Sequence, residues 1–214
     1  AGPDRLLAAE LAGEFTEIDD ALAEALLETV RSSSGSEELR GRAAISLGPI
    51  LESADTDGFE DLEHVPITEP TFTRIRASLR QLFQDTNVPE DVRRQILEAS
   101  VRAPQDWHQD AIDAAHRSDS QEWKLTAIFC MRFVRGFEAQ ILEALGSENP
   151  DIRYQAVCAA GNWGIEAAWP HIEPLLTAEG TDKALLLAAI EAVATIRPED
   201  APTLLEDLVD SDDE

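Results

Sequence analysis

The sequence predicts an all-α fold of stacked helical pairs, and three observations carry that prediction. A short apolar helix, a polar turn, an acidic residue and a second helix of small residues recur along the chain; the recurrence has a nearly fixed step; and strand signals are almost absent. The units begin with LRQLFQDTNVPEDVRRQILEA at 79, AIDAAHRSDSQEWKLTAIFCM at 111, ILEALGSENPDIRYQAVCAAG at 141 and IEPLLTAEGTDKALLLAAIEAVATI at 172, in steps of 32, 30 and 31 residues. A period of this size is that of a solenoid. An earlier unit, LLETVRSSSGSEELRGRAAISLG at 26, precedes the next by 53 residues, which implies an insertion.

Each unit reads as two helices. In the first, apolar residues such as Ile141, Leu142 and Leu145 take helical spacing; in the second, Ile152, Ala156, Val157, Ala160 and Trp163 form one buried stripe. Turn chemistry separates them at 32–36, 87–89, 118–120, 147–150 and 180–182. Glu38, Asp91, Glu122, Asp151 and Asp182 open the second helices, where a negative charge complements the helix dipole by about 0.3–1 kcal/mol. The helix at 150–163 has little bulk of its own. Ala156, Ala159 and Ala160 bury small areas, and burial yields only about 25 cal/mol per Å². Small faces allow close approach, so such a helix is built to lie between neighbours.

Asp151-Ile152-Arg153 followed by Ala156-Val157 and Ala159-Ala160-Gly161 resembles the second helix of HEAT repeats, particularly the short type of the phycobilin-lyase-like HEAT proteins. Glu38-Leu39-Arg40 with Ala43-Ala44 and Leu47-Gly48 is similar, and Asp91-Val92-Arg93 matches at its start. Trp123-Lys124 departs from the Val-Arg pair, and the unit at 172 lacks the arginine and has a longer turn. The resemblance spans roughly residues 20 to 214 and implies a right-handed α-α superhelix, a HEAT-type α-solenoid of about five helical pairs. The order expected is a capping helix at 1–16, repeats at 17–51, 71–103, 104–135, 136–164 and 165–197, an acidic insertion at 52–70, and a truncated sixth repeat or acidic tail at 198–214. LLEDLVDSDDE stops where a second helix should begin, so continuation beyond Glu214 or an acidic tail is expected. Arg40, Arg93, Lys124 and Arg153 occupy one repeat position and are expected to reach acidic or carbonyl groups in adjoining turns.

Composition narrows the function classes. At 43% hydrophobic and 28% charged residues over 214 positions, the chain has the material for a packed core, so disorder is not expected. Seventeen basic against 43 acidic residues give a net charge of −26, which opposes attachment to nucleic acid or to anionic lipid. Only two of the cations are lysines, and that bias, with abundant Asp, Glu and Ala, fits a high-salt cytoplasm or a GC-rich genome as readily as any partner. Two cysteines, Cys130 and Cys158, form no CxxC and read as small buried hydrophobes of a reducing compartment. No apolar run approaches 18 residues and no charged-then-apolar leader opens the sequence, so a cytoplasmic protein is expected.

Catalytic constellations are missing from the sequence. His64, His108, His116 and His171 lack metal-ligand spacing; Asp113 and His116 share a helical face without further ligands. Asp55-Thr56-Asp57-Gly58 starts like a calcium loop but lacks the glycine that loop needs at its sixth position, so an acidic loop is expected. No nucleophile elbow, phosphate-binding glycine loop or dinucleotide fingerprint occurs. The reading is of a non-catalytic scaffold without a cofactor. A HEAT protein of the lyase type, handling a chromophore or acting as a lyase subunit, is the alternative that the resemblance leaves open.

The resemblance also implies that second helices line a concave surface on which a protein or peptide partner binds. Counting Ile152 as position one, positions three, seven and eleven face away from the first helices. They hold Gly41, Ile45 and Pro49; Arg94, Glu98 and Arg102; Leu125, Phe129 and Phe133; Tyr154, Cys158 and Asn162; and Leu187, Glu191 and Thr195. Leu125, Phe129 and Phe133 are large apolar groups at outward positions, between Arg94 and Arg102 on one side and Tyr154 on the other. These six are the expected partner-binding residues, because an apolar aromatic centre beside arginines has the composition of a hot spot. Residues 93–153 hold eight cations against ten anions, whereas 154–214 hold two against thirteen.

If the net charge is a salt adaptation, screening of self-repulsion raises thermal stability. The melting temperature should then climb between low and molar salt, and a flat profile contradicts the adaptation.

Overall fold

The computed structural model describes residues 6–9, 11, 18–59, 67–178 and 180–204, and every regular element among them is helical. The chain divides into two compact units, residues 1–111 and 112–214. The first contains α1 (Asp20–Arg31), α2 (Glu37–Ser46), α3 (Gly48–Asp57), α4 (Glu69–Gln84) and α5 (Glu90–Ser100). Helix α6 (Trp107–His116) carries the chain across the boundary. The second contains α7 (Gln121–Cys130), α8 (Glu138–Leu145), α9 (Pro150–Trp163), a 3₁₀ turn (Glu166–Ala168), α10 (Trp169–Thr177) and α11 (Lys183–Ile196).

In the first unit, α1 pairs with α2 and α4 with α5; first helices then pack on first helices and second on second, α1 against α4 and α2 against α5. The same order governs the second unit, where α8 pairs with α9, α10 with α11, and α9 lies between α7 and α11. This is the HEAT-type arrangement within each unit. First helices are amphipathic: α1 buries Ala23, Leu26, Leu27 and Val30 at a single helical stripe. Second helices are enclosed on more of their circumference, and α9 buries Ile152, Ala156, Val157, Ala159, Ala160 and Gly161. That is why their faces are made of small residues.

Local chemistry fixes the helix ends. Ser36, Ser120, Asn149 and Asp182 cap second helices with side-chain oxygens that accept backbone N–H groups of the first turn. Pro150 then occupies the first turn of α9, where a missing N–H costs nothing. At the other end Gly164 adopts φ 59°, and the Ile165 N–H closes back on the Ala160 carbonyl at 3.0 Å, a Schellman termination. Arg40 and Arg93 use carbonyls as predicted, but of their own pair: Nε donates to Val30 O at 2.9 Å and to Val88 O at 3.2 Å respectively.

The acidic insertion differs from the loop expected of it. Residues up to Asp57 complete α3, which packs on α2 and α5 and buries Ile50, Leu51 and Ala54. The calcium-like Asp55 and Asp57 therefore stand on its last turn, where Asp57 accepts from Ser53 Oγ at 2.9 Å. Phe59 meets Phe72 at a ring-centroid separation of 5.3 Å, and the buried Ile67 leads into α4. Thr68 ties that entry to α1, its N–H and hydroxyl both donating to the Asp20 carboxylate at 2.8 Å. Burial works against the Asp20 carboxylate, but the Thr68 hydrogen bonds outweigh it and hold its pKa below the usual value. Asp61 and His64 lie outside the described residues.

Of the capping segment, residues 6–9 and 11 are described and helical; the Ala9 carbonyl accepts from the buried Ser46 Oγ at 2.6 Å. At the far end 201–204 are helical, and the acidic end of the sequence falls outside the described residues.

Ala156 and Ala160 are fully buried where α9 meets its neighbours. Either one replaced by leucine should cost about 1–3 kcal/mol by overpacking, seen as a lower urea midpoint. An unchanged midpoint contradicts the packing described.

Candidate functional site

Helix α7 places Leu125 and Phe129 one turn apart, and both are half-buried, as are Phe133 and Tyr154. Phe133 does not belong to that helix, contrary to the register read from sequence. Helix α7 ends at Cys130, and the Arg132 and Phe133 N–H groups close on Phe129 O at 3.1 Å and Cys130 O at 3.0 Å. These i to i+3 bonds tighten the chain. The Phe133 ring comes to 5.4 Å from Phe129, tilted at 51°.

Over both rings stands a residue that the sequence reading passed over. The Arg132 guanidinium lies 5.7 Å from the Phe129 centroid and 5.9 Å from that of Phe133, within cation–π range of both. Helix α9 holds this segment by three side chains. Arg132 Nη1 donates to Gln155 Oε1 at 3.2 Å, Asn162 Nδ2 to Arg132 O at 3.4 Å, and Trp163 Nε1 to Met131 O at 2.6 Å. Arg135 then stacks on Trp163, its guanidinium carbon 4.4 Å from the ring centroid. The alternation of aromatic and basic residues in FCMRFVRGF (129–137) was the available signal.

Tyr154, on the same helix, donates its hydroxyl to Cys158. The charge Cys158 would carry, then burial, raise the pKa of Tyr154; burial above all raises that of Cys158, so both are protonated at neutral pH. Cys158 is half-buried, unlike the wholly buried Cys130, so only Cys130 has the buried position expected of both. Arg94 and Arg102 belong to the first unit. There Arg94 pairs with Asp91 at 3.1 Å, and Arg102 with Glu52 at 2.6 Å.

The described histidines do not converge. Asp113 pairs with Arg117 at 3.7 Å, and no group of three potential metal ligands occurs among the described residues. His108 is fully buried in the first unit, its Nδ1 accepting from Gln105 N at 2.9 Å and its Nε2 lying 3.1 Å from Ser100 Oγ. With Nδ1 an acceptor, Nε2 carries the proton and donates to Ser100, whose hydroxyl donates on to Leu97 O at 3.1 Å. It is a structural histidine.

The family model for HEAT repeats matches residues 138–214, which takes in α8 to α11. This match supports a HEAT-repeat family. None of the curated proteins matches the chain. Among the described residues no helix is long and apolar enough to cross a membrane.

Burial, with Arg76 next in effect, lowers the His108 pKa from 6.5 to about 4. A depressed folded-state value means that its contribution is complete above pH 6.5 and is lost as pH falls towards 4. The loss is on the order of 3 kcal/mol. Relief of carboxylate repulsion acts in the opposite direction, so the His108 contribution is read as a difference from His108→Gln. The gap between urea-derived stabilities should close as pH falls from 7 to 4; a constant gap contradicts a neutral buried imidazole.

Proposed function

We propose that the protein is a non-catalytic HEAT-repeat scaffold of the cytoplasm that docks a protein or peptide partner on the face formed by Leu125, Phe129, Phe133 and Tyr154. HEAT repeats generally mediate protein–protein interaction, and the matched region includes the helix that holds this face. The observation that carries the reading is the Phe129–Arg132–Phe133 cluster. Its side chains remain partly exposed although α9 anchors their backbone at Met131 and Arg132. Large rings fixed in advance lose little entropy when a partner covers them, which is the property of a hot spot. Arg94 and Arg102, with carboxylates of their own, are left out of the face. Protonated Tyr154 and Cys158 supply a polar rim rather than a nucleophile.

The test is Phe129→Ala, with melting and binding followed on the same variant against the partner recovered from native lysate. Binding should weaken by about 2 kcal/mol or more while the melting temperature stays near that of the parent. A loss of about 3–5 kcal/mol of stability instead makes Phe129 a core residue and overturns the reading.

A further inference from the structure

Acidic residues outnumber basic ones 43 to 17 in this chain, so an arginine has carboxylates to choose from. Arg74, Arg80 and Arg117 take Glu24, Asp106 and Asp113. Arg132 and Arg135 do not follow them. Their partners are three aromatic rings and one amide, and among the described residues no carboxylate lies within ion-pair distance of either. The Arg132 Nε is buried and without a hydrogen-bond partner among the described residues. Glu191 of α11 acts on Tyr154 and Cys158 and makes no ion pair with Arg132.

Two guanidinium groups thus lie over aromatic rings and lack the counter-charge they are shaped to take. A guanidinium binds a carboxylate through a rigid fork of parallel N–H donors, and a cation–π contact makes no use of those donors. The overall charge does not forbid an anionic ligand. At 0.15 M salt, fields decay over about 8 Å, so remote carboxylates weigh little against two cations in direct contact. We propose that this face recognises an acidic segment of a partner protein, Arg132 and Arg135 taking its carboxylates while Phe129, Phe133 and Trp163 cover its apolar side chains. The proposal rests on the docking face described above and adds the chemistry of what docks.

Rhodamine-labelled hexapeptides serve as probes, Glu-Phe-Glu-Glu-Phe-Glu and its counterpart with glutamine in place of every glutamate, titrated with the whole chain at 0.15 M salt and followed by anisotropy. The glutamate peptide should bind at least tenfold more tightly. Arg132→Gln with Arg135→Gln should erase that ratio, and Arg135→Gln alone, at an exposed position, should reduce it without altering the melting temperature. Equal binding of the two peptides, both weakened by Phe129→Ala, overturns the acidic preference and leaves the docking face standing. Binding indifferent to Phe129→Ala removes the face itself. No saturable binding of the glutamate peptide overturns the proposal, as does full competition by 10 mM inorganic phosphate at constant ionic strength. Self-association in sedimentation velocity that the double variant abolishes assigns the face to a second copy and overturns the peptide.

Discussion

Gly161 and Ala192 bring α9 and α11 so close together that a methyl group on Gly161 would sit 2.9 Å from the Ala192 Cα and 3.0 Å from its Cβ. The obstacle is backbone, which cannot swing aside. Glycine inside a helix costs roughly 1 kcal/mol relative to alanine, so the contact has to return at least that much through the atoms it brings together. Gly41 of α2 and Gly48, which opens α3, meet a different limit. A methyl on Gly41 would strike the Gln95 amide and one on Gly48 the Arg102 side chain, both flexible groups. Close packing of second helices is therefore strictest at α9, and the small residues found there follow from it.

A thin α9 also explains the candidate face. With one side filled by neighbouring helices, its remaining long side chains, Gln155, Asn162 and Trp163, extend to the segment after α7 and bind it. Two of them take the carbonyls of Met131 and Arg132, just beyond the end of the helix. The Phe129 and Phe133 rings and the Arg132 guanidinium are thereby positioned by backbone anchoring, not by being buried themselves. A rigid support beneath a partly exposed aromatic cluster is the connection between the repeat architecture and the proposed docking.

Much of this was legible in the sequence because repetition makes register readable. The stripe through Leu125, Phe129, Tyr154 and Cys158 was read as facing outward and is half-buried, whereas Gly41, at the same repeat position, is buried because Gln95 of α5 covers it. Phe133 was misplaced for a physical reason. Nothing local stops α7 at Cys130, since no glycine or proline follows until Gly136; the donors that engage the next carbonyls come from a helix more than thirty residues later for Met131. Arg132 was missed because it falls outside the outward positions three, seven and eleven, and the aromatic and basic alternation at 129–137 was not weighed beside them. Helix α3 was hidden by acidic composition, although Pro49 at its start and the buried Ile50, Leu51 and Ala54 have helical order. Composition described its exposed face and concealed its buried one.

The claim on which the others depend is that α9 and α11 touch through backbone at Gly161 and Ala192, and the stability of Gly161→Ala measures it directly. Helix propensity alone would raise stability by roughly 1 kcal/mol in that variant. Because the Ala192 Cα stands in the way of the new methyl and cannot swing aside, close contact predicts the opposite sign, a loss of about 1–3 kcal/mol in urea denaturation. A gain in stability, as propensity alone requires, would contradict it.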